Sequence, residues 1–543
     1  MGIRFSLIIA FLALGYGAIL FHLYDLQVAR GGYYLARANT QYSATGVLDA
    51  ERGSIFFTDA AGKQTPAALN KDFPTVYVVP KEIEDLPEAA HRLAPLFNLA
   101  AEDLIQKMTG RSYRVLARKA APELVQGVRD LDLKGAYVAY APSRYYPMGP
   151  VASQVIGFVS QSDENDAETG RYGVEKLSEE RLAGAPGQFV DGKLVAPRPG
   201  ADVVLTIDPT VQLEAEKILS SLVREKRAKS GSVIVEDPRT GQIIAMANVP
   251  QFDPNNYAAS PVAWFLNPTV QQIYEPGSVF KVFTMAAGID SGRITPETEF
   301  VDTGSLTLNG RTIKNWDLKA HGRVTMTNVI EQSINTGAAF AERQTGDEIF
   351  KDYLGRFGFR DKTGVDLPGE LKGDVQNLFR PHVSAITFAT ASYGQGVAVT
   401  PLHVINAFAT LANGGKLMRP YLNAASEPQM VRRVLSPETA SAVTEMMVSA
   451  VDKARIAKTK GYALAGKTGT AFVPDFQRGG YTDRVINTYV GFGPAADPRF
   501  VVLVKLVEPE GAPLAGLTVV PAFRDLAQFI LNYYRIPPDR LDD

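Results

Sequence analysis

A serine stands directly ahead of an apolar helical run in this chain, with a lysine three residues after it. Ser278-x-x-Lys281 follows Pro276-Gly277, and the apolar run 282–289 predicts a helix. Pro and Gly end the preceding element, so Ser278 lies near a helix N-terminus with Lys281 on the same face. A serine hydroxyl is a weak nucleophile until a neighbouring base takes its proton, and Lys281 is close enough to be that base. Taken alone, so short a pattern more often marks a helix-start serine beside a solvated lysine.

Two further motifs favour the catalytic interpretation. Ser333-Ile334-Asn335 is a Ser-x-Asn sequence, and Lys467-Thr468-Gly469 comes much later. Ser-x-x-Lys, Ser-x-Asn and Lys-Thr-Gly in this order resemble the signature of penicillin-binding proteins and serine β-lactamases. The resemblance predicts that the three segments meet around the Ser278 hydroxyl.

Two other matches have to be separated from these motifs. Lys362-Thr363-Gly364 is a second Lys-Thr-Gly, but it lies before the loop-like 366–370 and predicts a turn. The copy at 467 is followed by residues typical of a strand, so we assign the site to it. Residues 461–468 also spell a phosphate-binding loop. Such a loop leaves an apolar strand and opens a helix, whereas this one follows a basic, polar segment and precedes Pro474.

Composition excludes several kinds of chemistry. The chain has 543 residues, 45% apolar and 21% charged, which predicts three or four folded units. A formal net charge of −2 gives no sign of a nucleic-acid surface. Cysteine is absent, so thiol chemistry and disulfides are excluded, and the five histidines lack metal-ligand spacing. We predict no cofactor and no metal.

The N-terminal region predicts a membrane anchor. Phe5 to Tyr24 is a run of twenty residues without Asp, Glu, Lys or Arg, long enough to cross a bilayer as a helix. Its small residues lie inside the run, which favours an uncleaved anchor over a cleaved signal peptide. Arg4 on one side and Arg30 and Arg37 on the other leave the orientation open.

A change of composition near 192–200 predicts a domain linker. Before it, short strand-like and helical runs alternate, with a strand at 75–79 and an exposed loop at 160–171. After it, strands at both ends with helices between them predict one α+β domain. The predicted elements are a strand at 203–207, a helix capped by Asp208, a hairpin of 232–235 with 242–246, strands at 488–492 and 500–507, and a helix at 522–534.

The chain resembles class B penicillin-binding proteins along most of its length. The motifs are Arg52–Ile55, Tyr146–Gly149, Gly173–Lys176, Ala247–Pro250, Ser392–Gly396 and Leu411–Gly415. The resemblance implies a cytoplasmic tail (1–4), a single transmembrane helix (5–24), an elongated mixed α/β pedestal domain (25–195) and a transpeptidase domain (200–538). The last is an α+β fold with an antiparallel sheet flanked by helices. It also implies an inner (cytoplasmic) membrane location, with the bulk of the chain extracytoplasmic.

The resemblance further implies a D,D-transpeptidase that joins peptidoglycan stem peptides through a serine acyl-enzyme. An ordinary lysine has a pKa of about 10.4, so Lys281 needs burial or a second cation to act as a base. The implied roles are Ser278 as nucleophile, Lys281 as base, Ser333 as proton relay, Asn335 as a ligand of the substrate amide, Lys467 and Thr468 as ligands of its carboxylate, Gly469 as a point of close approach, and the N–H groups of Ser278 and Thr470 as the oxyanion hole.

Implied partners are peptidoglycan stem peptides and glycan strands, β-lactams as inhibitors, the membrane, a polytopic SEDS-family glycosyltransferase and other divisome proteins. Residues 274–278 and 490–494 favour the division branch, whereas 511–520 and Ile334 depart from it. An elongation-type transpeptidase remains an alternative. A β-lactamase, a carboxypeptidase and a non-catalytic penicillin-binding scaffold or sensor also stay open.

Overall fold

The computed structural model describes residues 12–13, 15–17, 19–20, 22–24, 50–109, 114–161, 168–190, 193–475 and 477–540. Two compact units divide the chain. The first takes its residues from 1–54, 69–145 and 180–202, and the second from 55–68, 146–179 and 203–543.

The described residues between 12 and 24 are helical. Among the described residues, no helix combines the length and apolar character needed to span a bilayer. The predicted tail 1–4 and part of the predicted anchor 5–24 lie outside the described residues, so the anchor stays a prediction.

The described residues between 50 and 205 form α-helices and β-strands. In chain order these are β1 (Ile55–Thr58), β2 (Gln64–Val78), α1 (Leu86–Phe97), α2 (Ala101–Met108), β3 (Arg114–Ala117), α3 (Pro122–Asp130), β4 (Ala136–Tyr145), α4 (Ser153–Ile156), β5 (Val159–Gln161), β6 (Glu168–Gly170), α5 (Gly173–Leu177), α6 (Glu179–Ala183), β7 (Gln188–Val190), β8 (Lys193–Val195) and β9 (Val203–Leu205).

The core of the first unit lies between a small sheet and three helices. The second half of β2 pairs antiparallel with β3 and β4. Val76 and Val78 alternate towards one face, where α1, α2 and α3 bury their apolar side chains against them. The predicted strand at 75–79 is thus the apolar end of a longer strand, whose earlier residues include the exposed Lys71 and lack a strand pattern.

The predicted loop at 160–171 is partly wrong. Its ends form the antiparallel pair β5 and β6, and residues 162–167 lie outside the described residues. Each strand is only three residues long, which is too short for an alternating pattern to be recognised in the sequence.

The second unit holds most of the remaining elements. They are α7 (Pro209–Glu225), β10 (Ser230–Asp237), β11 (Gln242–Val249), α8 (Pro268–Gln271), α9 (Lys281–Asp290), β12 (Glu299–Asp302), β13 (Ser305–Leu308), β14 (Arg311–Lys314), β15 (Gly322–Thr325), α10 (Met326–Gln332), α11 (Asn335–Thr345), α12 (Asp347–Arg356), α13 (Ala385–Ala391), α14 (Pro401–Ala412), β16 (Lys416–Met418), β17 (Met430–Arg433), α15 (Pro437–Ala454), β18 (Ala465–Pro474), β19 (Tyr481–Gly493), β20 (Phe500–Val507) and α16 (Val519–Tyr533).

A five-stranded antiparallel sheet of order β11-β10-β20-β19-β18 organises this unit. Helices α7 and α16 pack on one face of it, burying side chains such as Val504, Leu219 and Phe523. Helix α14, buried along its whole length, contacts β10, β19 and β20. The predicted α+β fold with an antiparallel sheet flanked by helices is confirmed.

Several helices and strands were predicted correctly from local sequence signals. Asp208 caps α7, accepting hydrogen bonds from Thr210 N (2.9 Å) and Val211 N (3.2 Å), with Pro209 in the first turn. The hairpin of β10 and β11, the strands β19 and β20, and helix α16 all occur where the sequence predicts them.

Candidate active site

Ser278 lies in a single 3-10 turn, Gly277–Phe280, that runs directly into α9. The turn starts at Gly277 with φ +62°, a conformation that favours glycine. A Cβ there would lie 2.9 Å from the carbonyl oxygen of Thr470, so the turn packs closely against β18. The predicted helix start is confirmed, with Ser278 half-buried and Lys281 one turn beyond it.

Lys281 is fully buried. Its Nζ donates to the carbonyl oxygen of Ser333 and to Ser333 Oγ (3.1 Å). Burial, and secondly the charge of Lys467, hold the pKa of Lys281 well below its ordinary value of 10.5. Both effects favour the neutral amine, which is the form that can accept a proton.

Ser333 sits at the break between α10 and α11. It adopts a left-handed conformation (φ 57°), uncommon for a residue with a Cβ. The turn lets the hydroxyl and the carbonyl of one residue both meet the Lys281 amine. Such backbone strain is often found at functional sites.

Lys467 reaches the same hydroxyl from the sheet. It lies on β18, 3% exposed, and its Nζ donates to Ser333 Oγ (3.0 Å), Thr468 O (3.0 Å) and Thr468 Oγ1 (3.3 Å). Burial lowers the pKa of Lys467 to about 7. The Ser333 hydroxyl is therefore hydrogen-bonded to two buried amines, one from α9 and one from β18.

Gly469 allows β18 to approach the nucleophile turn. A Cβ at this position would lie 2.6 Å from the carbonyl oxygen of Pro276 and 3.0 Å from Val279 Cγ1. Thr470, the next residue, is half-buried, and its Oγ1 accepts a hydrogen bond from Ala515 N (3.3 Å). The strand is thus held on both sides beside Ser278.

Asn335 is the first residue of α11. Its Nδ2 donates to the carbonyl oxygen of Lys314 (2.8 Å). With the amide nitrogen engaged in this way, Oδ1 is the atom that can accept a hydrogen bond from a substrate N–H. The structure therefore brings the predicted Ser278, Lys281, Ser333, Asn335 and Lys467 segments into one site.

Comparison with known proteins agrees with the fold and family that the sequence motifs predict. The penicillin binding protein transpeptidase domain matches residues 231–528, and the penicillin-binding protein dimerisation domain matches 47–192. This chain belongs to the class B penicillin-binding proteins. Stage V sporulation protein D of Bacillus subtilis is 31% identical over 93% of this chain and 82% of its own length. Peptidoglycan D,D-transpeptidase FtsI of Escherichia coli is 28% identical over 99% of this chain and 93% of its own length.

A solved structure adds the comparison in three dimensions. Penicillin binding protein 3 of Mycobacterium tuberculosis in complex with aztreonam matches with a TM-score of 0.71 and 26% identity. The match covers 91% of this chain and 98% of the mycobacterial one. The fold of a class B penicillin-binding protein thus extends through both units of this chain.

The two competing motif matches have other surroundings. Lys362 is exposed, and Thr363 N donates to Glu370 Oε1 (2.6 Å) in a loop after α12. Thr468, which ends the phosphate-loop match, lies inside β18 and not at a helix start. The phosphate-loop interpretation is therefore excluded by the structure.

Several residues near the site were not recognised in the sequence. Glu275 accepts hydrogen bonds from Gly396 N (3.0 Å) and Tyr481 Oη (2.9 Å), tying the segment before Ser278 to two distant loops. Asp302 and Asn315 are buried beside the start of α11. Asn315 follows a strand of only four residues, so nothing in the sequence marked it as part of the site.

Proposed function

We propose that this protein is a peptidoglycan D,D-transpeptidase that cross-links stem peptides through an acyl-enzyme on Ser278. The observation that carries the proposal is the buried Lys281, whose lowered pKa and contact with Ser333 suit a general base one turn from a half-buried serine. Membership of the transpeptidase family supports the same reaction class.

Acylation begins when Ser278 Oγ attacks the carbonyl carbon of the penultimate D-Ala, and Lys281 Nζ takes the hydroxyl proton. The negative oxygen that develops accepts hydrogen bonds from the backbone N–H groups of Ser278 and Thr470. One such donor is worth about 10²–10³ in rate. The C–N bond then breaks, the terminal D-Ala leaves, and its amine receives the proton from Lys281 through the Ser333 hydroxyl.

Substrate binding uses the strand and the second helix. Lys467 and the Thr468 hydroxyl hold the terminal carboxylate, whose negative charge favours the protonated Lys467 amine. Gly469 lets the substrate backbone approach β18 closely, and Asn335 Oδ1 accepts from a substrate amide. An amine of a second stem peptide then attacks the carbonyl carbon of the Ser278 ester and gives a proton to Lys281. The C–O bond to Ser278 breaks, and Lys281 returns the proton to Ser278 Oγ.

β-Lactams fit the same chemistry as inhibitors, because opening the lactam ring by Ser278 leaves an ester on the enzyme. The match to a mycobacterial penicillin binding protein solved with aztreonam supports this. We also propose the anchor 5–24 after a cytoplasmic tail 1–4, a pedestal 25–195 and a transpeptidase domain 200–538, with the bulk of the chain in the periplasm. The matched ranges 47–192 and 231–528 fall inside the two larger segments.

We place the enzyme in septal wall synthesis, working with a SEDS-family glycosyltransferase and other divisome proteins. Residues 274–278 and 490–494 support this branch. FtsI of Escherichia coli is among the relatives, which is consistent with this branch, whereas residues 511–520 and Ile334 keep elongation as the alternative. Depletion in cells separates the two: filaments support division, and rounded cells support elongation.

The test of the reaction uses the full chain in detergent with a labelled penicillin, followed by proteolysis and mass spectrometry. We expect one adduct, on the peptide that contains Ser278, and release of D-Ala from a stem pentapeptide donor when an acceptor amine is present. Ser278→Ala abolishes both, whereas Ser291→Ala, one element away at the end of α9, retains both. Labelling of Ser278→Ala would contradict the assignment, and a folded wild-type protein without an adduct would support the scaffold alternative.

A further inference from the structure

We propose that Asn315, oriented by Asp302, is a positioning residue that caps helix α11 from outside and thereby sets the Asn335 amide for the acyl donor. The inference rests on the proposed function, because it concerns how the acyl donor is held beside Ser278. Neither residue carries a role in the reaction described above.

The start of α11 needs a partner from elsewhere in the chain. The first N–H groups of a helix have no acceptor within the helix, and a side chain at the N-cap usually supplies one. Here the N-cap is Ile334, fully buried, whose side chain has no acceptor atom. The first N–H groups of the helix belong to Asn335 and Thr336. The donors that lack an acceptor within the helix therefore lie at the Ser-x-Asn motif itself.

Asn315 supplies the missing acceptor. Its Oδ1 accepts from Asn335 N (3.1 Å) and Thr336 N (3.2 Å). The side chain is 1% exposed, so water does not compete for these donors. The arrangement replaces the missing N-cap by a carboxamide that lies twenty positions earlier in the chain.

Asp302 fixes which way the Asn315 amide points. Asn315 Nδ2 donates to Asp302 Oδ2 (2.7 Å) and to Lys319 O (2.9 Å), so Oδ1 is the atom left for the helix. Asp302 also accepts from Thr336 Oγ1 (2.6 Å), Gly304 N (2.9 Å) and His321 N (2.9 Å). Burial acts to raise the pKa of Asp302, but these hydrogen bonds outweigh it and hold the pKa below its ordinary value.

The neighbours of Asn315 hold the same segment at two further points. Lys314 O accepts from Asn335 Nδ2 (2.8 Å), and Trp316 Nε1 donates to Gln332 O (3.0 Å), just before Ser333. Residues 314–316 therefore bind both ends of the turn that contains Ser333. A shift of residues 314–316 would move both the Ser333 turn and the Asn335 amide, while the nucleophile turn stays packed on β18. The movement of Ser333 slows acylation by any penicillin, whereas the movement of Asn335 affects only a compound with an amide at that point.

This separation gives a selective test. Benzylpenicillin carries a side-chain amide that Asn335 can bind, whereas 6-aminopenicillanic acid has a free amine in its place. We expect Asn315→Ala to lower the acylation rate by benzylpenicillin about 10-fold more than that by 6-aminopenicillanic acid. Asn335→Ala has the same selectivity, and the double variant adds no further selectivity, because both act on one contact.

Two controls keep the test decisive if Asn315→Ala folds poorly. Asn315→Asp keeps the acceptor but sets a second carboxylate against Asp302. It loses acylation by benzylpenicillin, and adding Asp302→Asn restores part of it. Asn413→Ala removes three side-chain hydrogen bonds at the end of α14 and leaves the ratio of the two acylation rates unchanged.

Equal losses with both probes, additive selectivity in the double variant, or no recovery in the exchanged pair would each overturn the inference. Failure of the proposed function reads differently: the wild-type protein would form no Ser278 adduct with either probe.

Discussion

Two copies of Lys-Thr-Gly in this chain have the same letters and opposite surroundings. At 467–469 the motif lies in a central sheet, with its lysine 3% exposed and bonded to the Ser333 hydroxyl. At 362–364 it lies in a loop, with an exposed lysine and a threonine bonded to Glu370. The glycines differ too: Gly364 has φ +81°, whereas Gly469 is in a strand and closely approached by Pro276 O.

The difference shows that burial and not composition gives the motif its chemistry. Taking an ammonium group out of water disfavours its charge, which lowers the pKa of Lys467 to about 7. A lysine in that state shares a proton readily with Ser333 and responds to the charge of a bound carboxylate. Lys362 is exposed in a loop and lacks this burial, so the second copy serves as an internal control.

The largest effect on acylation is expected at Lys467, with Lys362 as its control. Lys467→Met removes the cation that we propose holds the carboxylate, and the acylation rate should fall about 10²–10³-fold, the size of losing one partner of a buried charge-assisted contact. Lys362→Met should leave the rate within about twofold, as expected of an exposed side chain. Stopped-flow acylation with a fluorescent penicillin measures both. Equal effects at the two positions would remove the basis of the comparison.

A third lysine tests whether burial alone makes a catalytic group. Lys505, on β20, is 3% exposed, with Nζ 4.5 Å from the centre of the Tyr274 ring, and burial lowers its pKa to about 8. The unfolded chain keeps a pKa near 10.5, so between pH 8 and 10.5 it binds more protons and stability rises with pH. The full cost of the buried charge is therefore present below pH 8.

Lys505→Met should raise the unfolding free energy at pH 7 by up to about 3 kcal/mol, while penicillin acylation is retained. The gain should shrink above pH 8 and vanish near pH 10.5, where the lysine is neutral in both states. Urea unfolding at several pH values, with Lys362→Met as the matched control, measures it. A gain independent of pH would mean that the Lys505 charge is not the cause.

The smallest effect is expected from the glycines. Gly469→Ala puts a methyl group 2.6 Å from Pro276 O, so β18 has to move from the nucleophile turn and acylation should fall about 10–100-fold. Gly364→Ala instead forces a left-handed alanine and should cost about 1 kcal/mol of stability with acylation unchanged. Acylation rates and melting temperatures of the two variants separate these outcomes. Slow acylation in Gly364→Ala would show that the loop copy influences the site.

The parts of the fold that have local causes could be predicted from the sequence. The hairpin of β10 and β11 followed from its turn residues, and α7 from Asp208 and Pro209. The polar half of β2 could not be recognised, because its strand state comes from pairing with neighbours and not from an alternating pattern.

The motifs of the site could be predicted from the sequence, whereas the residues that hold them in place could not. The meeting of the Ser278, Ser333 and Lys467 segments followed from resemblance, since no spacing rule links positions so far apart. Asn315 and Asp302 act through tertiary hydrogen bonds, and neither lies in a pattern that marks a function. The depth of burial of Lys505, in the middle of an apolar strand, likewise emerges only once the sheet is assembled.

A crystal structure of the full chain acylated by benzylpenicillin tests the central claim most directly. We predict an ester on Ser278 Oγ, Lys281 Nζ within hydrogen-bond distance of that oxygen and of Ser333 Oγ, and the penicillin carboxylate against Lys467 and Thr468. An acyl group on another residue, or a carboxylate bound at Lys362, would contradict the account.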